Sequence, residues 1–218
     1  MSLETMVSML LEGSLTSLTI FALTLIGALP LGLVVAFGRM AKNPLIRGIT
    51  WFYISIMRGT PLMLQLFVVY FGPYYLLGIQ SSPDWRFTAV ITAFIINYAA
   101  YFAEIYRGGI ESIDRGQYEA AEVLEYSSLQ TFFLIILPQV IKRILPSLTN
   151  EVITLIKDTS LAFVISVSEM FTVAKAIVAA QKTMVAFGIA ALFYYIFNAI
   201  VSFIMGRIER IFDFYKED

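Results

Sequence analysis

The sequence of 218 residues contains no cysteine and no histidine. Without cysteine, the chain can form no disulfide, no thiolate metal site and no cysteine nucleophile. Without histidine, it lacks the group on which Ser-His-Asp hydrolysis, histidine-based zinc motifs and histidine-ligated haem depend. The phosphate-binding pattern GxxxxGK[ST] is absent as well. We therefore expect a chain that is not itself an enzyme and that holds no metal or cofactor of its own.

Charged residues are scarce, at 14% of the chain, whereas 59% of residues are hydrophobic and the mean hydropathy is +0.79. Because so few charges cannot cover a globule with polar surface, we expect the bilayer to be the solvent for most of the chain. The net charge of −1 attracts no polyanion, which argues against nucleic-acid binding. The composition predicts a multi-pass protein of the cell membrane.

Apolar stretches between charges mark the candidate spans, because a helix needs about 20 residues to cross a hydrocarbon core of about 30 Å. The predicted fold is an all-α membrane protein of one domain, residues 1–218, with a short N-terminal segment over residues 1–12 instead of a signal peptide. The fourth span is the weakest because charged residues interrupt it. It is kept because, without it, the loops on either side would lie on the same face of the membrane, which contradicts their charge distribution. The five predicted transmembrane helices lie at about residues 13–38, 59–80, 87–107, 145–167 and 183–206.

The positions of the cations predict the orientation through the positive-inside rule. An N-out/C-in arrangement places three cations outside and Lys157 in the membrane. The three outer cations are Arg86, Lys175 and Lys182. Eleven of the 15 cations then lie on the cytoplasmic side, namely Arg39, Lys42, Arg47, Arg58, Arg107, Arg115, Lys142, Arg143, Arg207, Arg210 and Lys216.

A short amphipathic helix is predicted in the polar stretch that follows the third span. The glycine pair at 108–109 is expected to end that span, and a helical run follows over about 117–127. Ala120, Val123 and Leu124 recur there at helical spacing, while the glutamates point elsewhere. Acidic residues bind an anionic leaflet poorly, so the apolar stripe is expected to dock into a protein groove. The alternative is a connecting helix packed on its own domain.

A second local prediction concerns the entry into the second span. Pro61 follows Gly59 and Thr60, which is typical of a helix start with Thr60 as the N-cap and proline in the first turn. A short helix at 44–57 would then lie beside the membrane.

Four blocks of sequence follow one another over most of residues 58–161. They are Arg58-Gly59-Thr60-Pro61 with Gln65, Ala103-Glu104-Ile105-Tyr106-Arg107-Gly108-Gly109-Ile110, Glu119-Ala120-Ala121 with Phe132, Ile136, Leu137 and Pro138, and Asn150-Glu151 with Lys157-Asp158-Thr159-Ser160-Leu161. The third block resembles the cytoplasmic loop of permease subunits in binding-protein-dependent ABC importers. The other three blocks resemble the branch of these permeases that imports polar amino acids such as histidine, arginine and glutamine. The chain departs from the family at Glu125, where the pattern usually has a glycine suited to a left-handed turn.

The resemblance implies partners and a mechanism. Two permease subunits, identical or related, would pair, and each would place the helix after its third span in a groove of a cytoplasmic ATPase. ATP and Mg would bind to that ATPase, and an extracellular or periplasmic binding protein would deliver the amino acid. The residues implied in coupling to the ATPase are Gly116, Glu119, Ala120, Ala121, Val123 and Leu124.

Polar side chains inside the predicted spans mark a candidate substrate path, because a charge at the bilayer centre costs at least about 2.5–3.5 kcal/mol. Asn97, Tyr101 and Glu104 share one helix face at spacings of four and seven residues. An alternative for Glu104, which lies near the cytoplasmic end, is an ion pair with Arg107.

Lys157 and Asp158 are adjacent, so on a helix they point about 100° apart and are not natural partners of each other. A zwitterionic amino acid offers a carboxylate to the lysine and an ammonium to the aspartate. The alternative is a structural ion pair with Glu151, Arg58 or Gln65. The predicted path comprises Gln65, Asn97, Tyr101, Glu104, Glu151, Lys157, Asp158 and Ser160.

If the substrate is cationic, Glu104 and Glu151 are the anions available to it, so a basic amino acid is also a candidate substrate. The sequence disfavours two other function classes. An ATP-independent channel or secondary carrier would need rings of charge or midplane helix breaks related by a repeat, and neither is found. An intramembrane protease is disfavoured by the lack of histidine.

Overall fold

The computed structural model describes residues 1–80, 82 and 84–212, and Lys216 lies outside them. All regular elements of the described residues are helical and none is a strand, which confirms the all-α prediction. In chain order the helices are α1 (Leu3–Arg39), α2 (Pro44–Gly59), α3 (Leu62–Leu77), α4 (Trp85–Glu111), α5 (Arg115–Val123), α6 (Ser128–Gln130), α7 (Leu137–Asp158), α8 (Met170–Gln181) and α9 (Val185–Ile211).

Four helical elements of the described chain are long and apolar enough to cross a membrane, namely Leu3–Arg39, Trp85–Glu111, Ser128–Ile165 and Val185–Ile211. A fifth span is counted if α2 and α3, which are bent by 111° at their junction, are taken together. Helix α3 alone has 16 residues, so it extends only about 24 Å. The predicted number of five spans is the upper end of this range.

The junction of α2 and α3 differs in detail from the predicted helix start. Pro61 is the N-cap of α3, with no side-chain capping bond, and Thr60 is the C-cap of α2. The Thr60 hydroxyl donates to the carbonyl of Ile56 at 2.8 Å, back into α2. Thr60 therefore does not cap α3, because its side chain belongs to the preceding helix.

The fourth predicted span is part of a much longer helix. A π-helical segment (Thr131–Ile136) joins α6 to α7, and a 3-10 segment (Thr159–Ile165) prolongs α7, so one element runs over Ser128–Ile165. Residues 128–144, which the predicted bounds leave between the third and fourth spans, are thus helical. The π-helical widening directly precedes Pro138, whose ring would collide with the carbonyl one turn earlier in a regular α-helix.

Helix α8 was not predicted, because 12 residues are too few to cross a membrane. Its N-cap is Glu169, whose carboxylate accepts backbone N–H bonds from Phe171 and Thr172 at 2.7 Å each. This carboxylate is completely buried and also accepts hydrogen bonds from Ser17 of α1 at 3.4 Å and Tyr194 of α9 at 3.3 Å. One buried acid therefore joins α8 to two of the long helices.

Helix α4 lies at the centre of the main core. Its aromatic residues Phe94, Tyr98 and Phe102 are buried, and they pack in one cluster with residues of α1, α3 and the long α7 element. Gly32 of α1 permits a close approach, since a Cβ atom there would lie 2.8 Å from the Cβ of Phe102. Small residues at such crossings are typical of helix packing in membranes.

The glycine pair at 108–109 does not end α4, contrary to the prediction, and the helix continues to Glu111. The reason is packing. Gly109 is buried against α7, where a Cβ atom would lie only 2.2 Å from Cγ2 of Ile144. The contact with α7 favours helix at these glycines, although their intrinsic helix propensity is low.

This packing gives a matched pair of substitutions. Gly109→Ala should lower the free energy of unfolding by about 1–3 kcal/mol, because the added methyl overpacks the contact with Ile144. Gly108→Ala is the control, since nothing lies within 4 Å of its Cβ position, and it should be neutral or slightly stabilising. Thermal unfolding of the two purified variants in detergent measures the difference, and equal midpoints would contradict it.

Candidate functional site

The face of α4 that carries Asn97, Tyr101 and Glu104 meets the last turn of α2. Asn97 donates from Nδ2 to the carbonyl of Met57 at 3.1 Å. The Arg58 guanidinium lies 5.4 Å from the centre of the Tyr101 ring and 3.7 Å from Oε2 of Glu104. The predicted shared face therefore exists, and its partner is the junction of α2 and α3.

Asn97 and Gln65 form a buried hydrogen-bond network at this junction. Asn97 Nδ2 also donates to Oε1 of Gln65 at 2.9 Å. The two N–H groups of Gln65 Nε2 in turn face three acceptors, the carbonyls of Met57 at 3.0 Å and Thr60 at 3.1 Å and the Thr60 hydroxyl at 2.8 Å. Both side chains are buried. Their place in a substrate path stays a prediction, and the structure gives them a supporting role for the helix break.

Three of the predicted path residues line a cavity of about 590 Å³ between the end of α2, α4 and α7. The predicted path did not include Arg58, Arg143 or Ser147. The only available signal was the position of Arg58 directly before the Gly-Thr-Pro break. The polar residues that line the cavity are Arg58, Tyr101, Glu104, Ser112, Arg143, Ser147 and Glu151.

The two acids of the cavity differ in their partners. Glu104 accepts bonds from Arg107, at 3.0 Å from Nε and 2.7 Å from Nη2, which confirms the alternative of an ion pair with Arg107. Glu151 is only partly buried, and no described residue forms a hydrogen bond or ion pair with its side chain. The cavity thus contains one carboxylate without a direct partner.

Asp158 and Lys157 lie further along α7, outside the lining of this cavity. Asp158 accepts a hydrogen bond from the hydroxyl of Tyr98 on α4 at 2.7 Å. The Lys157 side chain is exposed and has no hydrogen bond or ion pair within the described part of the chain. The expectation that the two charges have separate partners holds for Asp158, whose partner is on another helix. Ser160 donates to the carbonyl of Lys157 at 2.7 Å.

Together these groups form one polar strip along the contact of α4 and α7. From Asp158 and Tyr98 the strip passes to Tyr101, whose ring centre is 6.1 Å from that of Tyr98, and then to Glu151 and Glu104 in the cavity. Within the described residues, no group of three or more acidic side chains could hold a metal ion. The strip can offer ionic and hydrogen-bonding partners to a small polar solute.

The predicted amphipathic helix corresponds to α5, which begins at Arg115 and ends at Val123, four residues before the predicted end. Asp114 caps its N-terminus by accepting the N–H of Gly116 at 2.6 Å. Ala121 is buried, whereas Val123 and Leu124 are 83% and 67% exposed. Glu119 and Ala120 are exposed too. The apolar stripe therefore faces away from its own chain, which argues against the alternative of a helix packed on its own domain.

Glu125 adopts the left-handed conformation that the usual glycine would favour, with φ of 58°. Its N–H bonds the carbonyl of Glu122 at 2.9 Å, and the N–H of Tyr126 bonds the carbonyl of Ala121 at 3.0 Å. These two bonds form a Schellman motif, the common end of an α-helix. The turn is therefore intact without glycine, at a cost of about 1–2 kcal/mol for the left-handed residue.

The loop that precedes α5 is held by the helices of the cavity. This loop inserts Ile113 into a buried cluster with Val140 and Ile144 of α7. Arg143, which lines the cavity, donates to the carbonyl of Ser112 and to its Oγ, the latter at 3.1 Å. A displacement of α5 would therefore act directly on the wall of the cavity.

Comparison with known proteins gives a consistent result along the chain. A family model described as the binding-protein-dependent transport system inner membrane component matches residues 28–213. The glutamine transport system permease protein GlnP of Escherichia coli K12 is 36% identical over 206 residues, which cover 94% of this chain and 93% of that protein.

Solved structures share the fold. A crystal structure of an amino acid ABC transporter with histidines matches with a TM-score of 0.85 and 31% identity, covering 96% of this chain and 98% of that chain. The MetNI methionine ABC transporter in an inward-facing conformation matches with a TM-score of 0.74 over 97% and 99% of the two chains. At 17% identity, the second match is one of fold alone.

The hydrogen-bond network of Asn97 and Gln65 leads to a stability prediction. Asn97→Ala should lower the free energy of unfolding by about 1–3 kcal/mol, because it removes a donor to buried acceptors of the α2–α3 junction. Gln65→Ala should act similarly, and the double variant should lose less than the sum because both amides serve the carbonyl of Met57. Thermal unfolding in detergent measures these changes. Asn150→Ala, at an exposed site on α7, is the control, and an equal loss there would contradict the assignment.

Proposed function

Because the chain belongs to the family of binding-protein-dependent transport system inner membrane components, we infer that it is the transmembrane subunit of an ATP-driven amino acid importer. Relatives that cover nearly the whole chain support this inference, since one is named a glutamine transport system permease protein and another an amino acid ABC transporter. The chain is a multi-pass protein of the plasma membrane. It lacks a nucleotide-binding motif, and the family works with a separate ATPase.

The proposed substrate is a polar amino acid, with glutamine as the first candidate. The relative from Escherichia coli is a glutamine permease, and the related solved transporter was crystallised with histidines. The polar strip supports a zwitterion because it presents cations and carboxylates side by side, at Arg58, Glu151, Lys157 and Asp158. A basic amino acid remains the alternative within the same class.

In the proposed path the solute moves along the strip between the Lys157–Asp158 pair and the cavity at Tyr101, Glu104 and Glu151. Ser160 borders the first part of this route. Gln65 and Asn97 contribute by holding the α2–α3 junction against α4, and thereby Arg58 at the cavity. Tight binding is not needed, since recognition belongs mainly to the binding protein.

The proposed partners are a cytoplasmic ATPase subunit, a second permease subunit and an extracellular or periplasmic binding protein. Helix α5 would dock in the ATPase through Gly116, Glu119, Ala120, Ala121, Val123 and Leu124. The exposure of Val123 and Leu124 supports this role, because an apolar stripe on a short helix fits a protein groove. The predicted N-out/C-in orientation places α5 on the ATPase side.

A reconstituted complex tests the function. We expect the chain to co-purify with its ATPase and to take up radiolabelled L-glutamine into vesicles only when ATP and a binding protein are present. A panel of neutral and basic amino acids identifies the preferred solute. Uptake by the chain alone would favour an ATP-independent channel or secondary carrier and would refute the proposal.

The role of α5 gives a separate prediction. Glu119→Lys should leave the fold intact, because the residue is exposed, but it should reverse the charge presented to the ATPase. We expect uptake per ATP hydrolysed to fall at least about tenfold, which corresponds to about 1.4 kcal/mol of lost coupling. Glu4→Lys, an exposed charge reversal at the start of α1, serves as the control. Normal coupled uptake by the Glu119→Lys complex would rule out this role.

A further inference from the structure

A second cavity, the α7–α9 cavity, lies between the first half of α7 and the last turns of α9. Its volume is about 410 Å³, and its lining consists of Lys142, Leu145, Pro146, Gly206, Glu209 and Arg210. Further along, the same two helices are in direct contact, because Val152 and Ile156 of α7 form a buried cluster with Val201 of α9. The α7–α9 cavity is therefore the place where two packed helices separate.

The two cations of the lining lie at one end of the cavity. Helices α7 and α9 run antiparallel here, since the hydroxyl of Thr149 donates to Oε1 of Glu209, whereas the buried cluster lies at higher residue numbers on α7 and lower ones on α9. Lys142 precedes Pro146 by four residues and Arg210 follows Gly206 by four, so each cation is about one helical turn beyond the apolar part of its wall. Such a cavity matches an amphiphile, with a charged end and an apolar end.

The charges of the lining favour an anion. Arg210 is exposed and forms no hydrogen bond or ion pair with any described residue. Lys142 adds a second cation, and Glu209 is the single acid, so the lining carries a net charge of about +1. Oε1 of Glu209 already accepts the hydroxyl of Thr149, which leaves its other oxygen to accept a hydroxyl from a ligand. A guanidinium that has no carboxylate partner is suited to a phosphate group.

We propose that the α7–α9 cavity binds the headgroup of an anionic glycerophospholipid, with the phosphate at Arg210 and Lys142. Basic pockets between transmembrane helices on the cytoplasmic side are known to recognise such headgroups, and the predicted N-out/C-in orientation places this cavity in the cytoplasmic leaflet. A phosphatidylglycerol headgroup also carries hydroxyls that can donate to Glu209. The site is independent of the proposed transport function, since it lies on a different wall of α7 from the cavity at Glu151.

The surface of α9 beside the cavity favours a lipid over a soluble phosphate. Only 6% of the most apolar stretch of this helix is buried in the chain. Leu192, Tyr195 and Phe203 are exposed and share one face of α9 with Gly206, because spacings of 3, 11 and 14 residues return to the same side of a helix. Acyl chains can therefore lie along α9 while the headgroup occupies the cavity. A soluble anion would make no use of this apolar surface.

Native mass spectrometry tests this site directly. The full chain, purified in detergent with any subunits that co-purify, is delipidated and titrated with 1-palmitoyl-2-oleoyl-phosphatidylglycerol. The spectra give the number of bound lipids and the dissociation constant of the tightest one. Phosphatidylethanolamine with the same acyl chains tests the need for net negative charge, and sn-glycerol 3-phosphate as a competitor tests whether the phosphate alone is enough. We expect the tightest site to prefer phosphatidylglycerol over phosphatidylethanolamine at least about tenfold and to resist the soluble phosphate.

Two matched pairs of variants locate the site. Arg210→Gln should weaken the tightest phosphatidylglycerol site at least about tenfold, and Arg210→Lys, which keeps the charge, should retain most of the affinity. Arg207→Gln is the control, since this guanidinium lies over the Phe203 ring at 5.0 Å and outside the cavity lining. Gly206→Leu should fill the cavity and exclude the headgroup, whereas Gly188→Leu on the same helix should not. Neither added side chain clashes, because nothing lies within 4 Å of the Cβ position at either glycine.

Four results would overturn the proposal. Equal weakening by Arg210→Gln and Arg207→Gln would indicate attraction by general surface charge, and unchanged binding in Gly206→Leu would place the lipid elsewhere. Equal affinity for the two lipids would remove the requirement for an anionic headgroup. Displacement of the lipid by sn-glycerol 3-phosphate would indicate a site for soluble phosphates. The comparison of lipids uses the natural chain, so it decides the requirement for charge even if a variant fails to fold.

Discussion

The structure depends on the hydrogen bonds that the protein supplies to the backbone carbonyls where α2 ends and α3 begins. Polar backbone groups in a membrane protein must find partners inside the protein, since lipid offers none. Here the carbonyl of Met57 accepts a side-chain amide N–H from both Gln65 and Asn97, and the carbonyl of Thr60 accepts a second one from Gln65. Because Asn97 belongs to α4, the same bonds that complete the helix end also fix the 111° bend of α2 and α3 against the central helix.

This fixed bend places Arg58 over the Tyr101 ring and beside Glu104, and so defines one wall of the cavity. The opposite wall comes from α7, which packs closely on α4 at Gly109. Helix α4 then continues to Glu111, and α5 starts only four residues later at Arg115. The cavity and the proposed contact with the ATPase are therefore joined by one continuous segment, which is a short physical route for coupling them.

Charge pairing distinguishes groups that hold the fold from groups that are available to a solute. Glu169 and Asp158 both have hydrogen-bond donors from the protein, and Glu104 has Arg107. The side chains of Glu151 and Lys157 form no hydrogen bond or ion pair within the described chain. A transporter needs the second kind of group, because a carboxylate that is fully satisfied by its own protein gains little from binding a passing ammonium.

The sequence by itself determined the membrane class, the helical fold, the amphipathic helix at α5 and the set of polar residues from which the path is drawn. These follow from composition, from apolar stretches of spanning length and from local periodicity, all of which are properties of neighbouring residues. Only the tertiary structure decided that Asn97 and Gln65 close a helix break, that Arg58 and Ser147 share a cavity with Glu151, and that α4 continues through Gly108 and Gly109. Each of these depends on a contact between helices that are distant in sequence, such as the packing of Gly109 on Ile144. A single chain read from end to end carries no signal for such contacts, because the partner that stabilises each group lies on another helix.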